Sequence, residues 1–64
     1  MTFEIEEVVA FLAKRMVLAR EDGREDGWLG REYDSEYGNE DVQKAYEDGY
    51  IEGALDKSLL YAIV

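Results

Sequence analysis

The sequence predicts an all-α fold: an antiparallel hairpin of two long helices, with a first helix broken near 23–30 as the alternative, that dimerises into a helical bundle. Three observations carry this expectation. Apolar residues recur at helical spacing over 3–18, the chain has no proline, and one glycine-containing pattern is written twice. "AREDGREDGWLG" from Ala19 and "AYEDGYIEGALD" from Ala45 align at a constant offset of 26 residues, which superposes Gly23 on Gly49 and Gly27 on Gly53.

The first helix, expected over roughly 3–34, opens with "FEIEEVVAFLAKRMVL", eleven apolar positions of sixteen. Ile5, Val9, Leu12, Met16 and Ala19 step by four and three, the spacing of one helix face. Thr2 suits an N-cap, and Glu4, Glu6 and Glu7 sit where the helix dipole favours anions. A short strand over "TFEIE" is the competing reading. The same stepping continues through Gly23, Asp26, Gly30, Tyr33 and Tyr37. Asp-Gly pairs also mark turns, and each glycine inside a helix costs about 1 kcal/mol against alanine, so a loop over "EDGREDGWLG" competes with the helix.

"YDSEYGNED" reads as the connection, with Gly38 placed to end a helix and Asn39 or Asp41 to begin one. The second helix, over roughly 40–62, repeats the stepping at Val42, Tyr46, Gly49, Gly53, Asp56, Leu60 and Ile63.

Glycine in a helix is tolerated where another backbone must come close. Ala19, Gly23 and Gly27 form one ridge of minimal side chains, and Ala45, Gly49 and Gly53 form another; these six residues are the expected seam. Folding antiparallel about residue 36 opposes Ala19 to Gly53, Gly23 to Gly49 and Gly27 to Ala45. It also sets Leu12 against Leu60, Val9 against Ile63, Arg20 near Glu52, Arg24 near Asp48 and Arg31 near Asp41. Phe3, Val8, Phe11 and Val17 fall outside that seam and are the expected oligomer face, with a second copy as the simplest partner. A chain bent back over its own start is the alternative, and a seam formed between two chains is a third arrangement.

Composition narrows function by exclusion. Residues 1–64 make one small acidic domain without cysteine or histidine, so the commonest general base, thiolate ligands and disulfides are all missing. No nucleophile sits beside a base, so no catalytic residue is expected and the chain reads as a non-enzyme. No metal or cofactor is expected either. "DSEYGNED" fails as a calcium loop, because Gly38 is fifth from Asp34 and the twelfth position is Ala45. Gly23, Gly27 and Gly30 follow a helix and are crowded by acids, unlike a phosphate loop. The tyrosines and Trp28 read as packing groups. No run is long and apolar enough for a membrane span, and a cytoplasmic setting (bacterial or host-cell cytosol) is the expectation.

Charge is the remaining signal. The net charge is −9, yet residues 1–20 sum to zero while residues 21–56 carry −10. In the hairpin, Glu21, Asp22, Glu25, Asp26, Glu32, Asp34, Glu36, Glu40, Asp41, Glu47, Asp48 and Glu52 would crowd the distal half of a rod about 45 Å long. Direct nucleic-acid and membrane binding are opposed by that charge. The expected partner is a basic, nucleic-acid-binding protein, met by a nucleic-acid mimic or inhibitor of the kind bacterial viruses and mobile elements carry. The competing expectation is an assembly or adaptor module that works through the apolar 3–18 face, with acidity serving only solubility.

Overall fold

Helix α1 spans Ile5–Leu29 and helix α2 spans Glu40–Ile63 in the computed structural model, which describes residues 5–63. The expected Thr2 cap, Phe3 and Glu4 lie outside the described residues. Gly23 and Gly27 stay inside α1, so no loop forms over "EDGREDGWL". The helix does stop within the 23–30 range, at its far edge: α1 ends at Leu29, five residues before the expected boundary. Gly30 adopts φ +71°, a left-handed conformation that glycine takes without a Cβ clash, and the Arg31 N–H donates to the Asp26 carbonyl at 2.8 Å.

Asn39 starts α2. Its Oδ1 accepts the N–H groups of Asp41 at 2.8 Å and Val42 at 3.2 Å, satisfying two donors that the first turn leaves free. Gly38, at φ +79°, turns the chain into that cap; it does not end a helix.

The chain between the helices runs backwards along them. Residues 31–37 have no regular secondary structure, and their bonds to α2 fall in reverse order. Tyr50 Oη donates to the Arg31 carbonyl at 2.6 Å, Tyr46 Oη accepts the Asp34 N–H at 3.1 Å, and Gln43 Oε1 accepts the Tyr37 N–H at 3.1 Å. The Tyr37 carbonyl in turn accepts Arg15 Nη2 at 3.5 Å, ten and more residues before the end of α1. So α2 begins beside the middle of α1, and both helices then point the same way.

Two consecutive helices do pack along each other as a helical hairpin, but the antiparallel sense expected from sequence is corrected to parallel. The glycines fix the register. A Cβ built on Gly49 would meet the Arg20 backbone, and one on Gly53 would meet the backbones of Arg24 and Trp28. Reciprocally, Gly23 faces Tyr46 and Tyr50, and Gly27 faces Tyr50 and Ala54. Partners rise together along both helices at an offset near 26, the offset of the sequence repeat. Like therefore lies beside like: Ala19 by Ala45, Gly23 by Gly49, Gly27 by Gly53. The direction is set by the tyrosine and glutamine side chains of α2 that draw residues 31–37 back along the helices, and the seam accommodates it by symmetry. Two identical small-residue ridges mesh reciprocally about an axis parallel to both helices, and each backbone enters the notch of the other. The return path is within reach, since ten extended residues cover about 33 Å and must climb down only about 22 Å of helix.

The parallel sense rearranges the other expected contacts. Leu12 packs with Met16, Tyr37 and Tyr50 around a core of Ala19, Val42 and Tyr46, not against Leu60. Val9 and Ile63 are both exposed and lie towards opposite ends. Arg20 does reach Glu52, at 2.8 Å. Arg24 pairs with Glu52 at 3.8 Å and Asp56 at 3.9 Å in place of Asp48. Arg31 pairs with Asp26 at 3.4 Å and Glu25 at 4.0 Å in place of Asp41. The result is a rod of 55 × 20 × 13 Å.

Candidate binding surface

Three segments carry the twelve acids, and the parallel fold lays them side by side. Glu21, Asp22, Glu25 and Asp26 come from the second half of α1, and Glu32, Asp34 and Glu36 from the return segment. Glu40, Asp41, Glu47, Asp48 and Glu52 come from the first half of α2. Because Glu40 lies near the level of Lys14 and Glu52 near that of Asp26, the whole set occupies a belt about 20 Å high. This corrects the expected placement. The acids girdle the middle of the rod, and apolar helix ends project from both sides of it, not from one.

Ten of the twelve are exposed; Asp26 and Glu52 are half-buried. Those two have structural duties. Glu52 is held below the usual carboxylate range by its hydrogen bond to the Arg20 guanidinium and by the charge of that group, which is itself raised in return. Asp26 Oδ2 accepts the Tyr46 hydroxyl at 2.7 Å, while Asp34 Oδ1 accepts the Glu36 N–H at 3.0 Å within the return segment. Among the described residues, Glu21, Asp22, Glu32, Glu36, Glu40, Asp41, Glu47 and Asp48 enter no salt bridge. Their charge faces solvent.

Tyr46 organises the interior beneath the belt. It is completely buried and contacts the rings of Tyr33, Tyr37 and Tyr50 at centroid distances of 5.3, 4.8 and 6.0 Å. Gln43 completes the clamp, with Nε2 donating to Tyr33 Oη at 3.0 Å and to the Asp34 carbonyl at 2.8 Å. The tyrosines thus pack, as their spacing suggested, but their hydroxyls do something the spacing did not announce: they hold the return segment. The signal available was a stripe of Gln43, Tyr46 and Tyr50, polar-tipped and one helix turn apart, beside the glycine ridge.

Burial and the Asp26 bond push the Tyr46 hydroxyl up from 10.0 to about 12. Between those values the unfolded chain loses this proton while the folded chain keeps it, so the stabilisation is complete below pH 10 and falls as pH rises towards 12. Tyr46→Phe is expected to cost about 1–3 kcal/mol, because the Asp34 N–H and the Asp26 carboxylate lose their shared partner. Denaturant unfolding at stepped alkaline pH should also show a shallower loss in the variant than in the parent.

Beside the belt, an open groove between the helices is lined by the apolar Ala13, Met16, Val17 and Ala45 and by the charged Arg20, Asp41, Lys44 and Asp48. Val17 of the expected oligomer face lies there, 57% exposed; Val8 and Phe11, 53% and 66% exposed, stand on the free first turns of α1. Phe3 is outside the described residues. Among the described residues no three side chains of metal-ligating type converge, and no helix is long and apolar enough to cross a membrane. The chain matches no protein-family model, and no match to it emerges among curated proteins or solved structures.

Proposed function

We propose that this chain is a non-enzymatic acidic protein that binds a basic, nucleic-acid-handling protein in the cytoplasm by standing in for nucleic acid, as small inhibitors from bacterial viruses and mobile elements do. One observation supports this reading above the others: the solvent-facing belt. From Glu21 to Glu52, twelve acids oppose Arg24, Arg31 and Lys44, a net of −9. Spread over about 20 Å, that is roughly one net charge per 2 Å, close to the ~1.7 Å per phosphate charge of duplex DNA. The belt also sits on a stiff body about as wide as a duplex, so the charges are held in place before a partner arrives.

Binding to purified basic DNA-binding proteins, measured in competition with a labelled duplex, tests the reading. Affinity for a true target should fall at least ~10³-fold between about 50 and 200 mM salt, and duplex should be displaced. A target bound equally well across that range, alongside DNA, refutes the mimic.

The assembly or adaptor reading rests on a separate observation. Ile5, Val8, Val9, Phe11 and Leu18 are each at least half exposed on one helix, an apolar surface that soluble proteins commonly use for partners.

A further inference from the structure

The parallel register leaves the rod with two stepped ends. At an offset near 26, Glu40 starts level with Lys14, so about nine residues of α1, from Ile5, have no α2 beside them. At the far end Leu29 stops level with Leu55, so about eight residues of α2, to Ile63, have no α1 beside them. The steps match in length and are of opposite hand. Both are greasy: Val8, Val9 and Phe11 on one, Leu59, Leu60 and Ile63 on the other, exposed between 49% and 83%.

We infer that these steps are each other's docking sites, and that copies of this chain associate head to tail, the α2 end of one filling the α1 step of the next. Charge favours this arrangement over a side-by-side dimer. Side by side, two belts of −9 would lie against each other. Displaced along the rod by one repeat of 26 residues, the belts are about 39 Å apart centre to centre, and their facing edges about 19 Å apart, roughly two screening lengths at physiological salt. The same displacement brings Val8 level with Leu60 and Phe11 with Ile63. It also places Lys57, which makes no salt bridge among the described residues, beside Glu6 and Glu7 of the next copy. Such a contact is heterologous, because different surfaces meet, and growth is open-ended. The inference is independent of whether the belt binds a basic protein.

Sedimentation with two end-blocked variants, Val8→Glu and Leu60→Glu, tests it. Both residues are exposed, so each variant should keep the parent's circular dichroism and melting curve. The parent should grow past two copies as concentration rises. Each variant alone should stay monomeric, and an equimolar mixture should form a one-to-one pair and stop, since only one junction remains unblocked. A parent that is monomeric throughout or that closes at two copies overturns the inference. So does assembly abolished by one variant and untouched by the other, which would mark like ends meeting.

Discussion

Gly49→Ala should leave this protein largely unfolded at room temperature, although alanine is the better helix former. On propensity alone the change stabilises α2 by about 1 kcal/mol. The Cβ, however, would overlap the Arg20 carbonyl oxygen and lie 2.9 Å from its carbon and 3.1 Å from the Arg20 Cα. These are backbone atoms of the facing helix; no side chain can rotate out of the way. The helices must separate, and separation loosens the whole reciprocal seam at once. Overpacking usually costs 1–3 kcal/mol, and here the loss should exceed about 3 kcal/mol. A 64-residue domain whose buried hydrophobic side chains, among the described residues, are Ala19, Val42 and Tyr46 has little more than that to lose. Gly38→Ala is the control. It forces alanine into φ +79° with nothing within 4 Å of the new methyl, so only the local strain of about 1–2 kcal/mol applies. Thermal melts of both should separate them clearly. Equal stability of Gly49→Ala and the parent would mean the backbones do not touch there.

The second large effect concerns binding. Replacing Glu21, Asp22, Glu47 and Asp48 together with lysine reverses four exposed charges that sit at matching places on the two helices, one repeat apart. None enters a salt bridge among the described residues, so the fold should persist, with a melting temperature equal to or above the parent's as repulsion within the belt falls. Affinity for a basic target should drop by about 10²–10³, from four lost exposed ion pairs of up to ~1 kcal/mol each plus new repulsion. The adaptor reading predicts the opposite: a partner bound through the α1 apolar face is retained. A competition measurement on the folded variant decides between them.

Much of this was legible along the chain. Four-three stepping gave both helices, and the start of the second was narrowed to Asn39 or Asp41, of which Asn39 is the cap. The small-residue ridges marked where the helices would touch, because a run of glycine at helical spacing has few other uses. The charge segregation was equally plain. Gly30, at the edge of the stretch where a break competes with helix, carries no local mark as the end of α1: the stepping passes through it without interruption, and its φ of +71° depends on where the chain goes next.

What the residues alone marked is that two helices exist, that the small-residue ridges holding Gly23 and Gly49 are where they touch, and that the acids share one region. Only the tertiary structure decided which way the second helix points. A ridge of glycines has no side chains to distinguish up from down, and Gly23 meets Gly49 in the antiparallel fold and the parallel one alike. The choice was made elsewhere, by hydroxyls and an amide on α2 that seize the backbone of residues 31–37 and lead it back down the rod. Those bonds join residues six to nineteen apart, so no local pattern announces them, yet they turn one greasy end into two and put the charge at the waist.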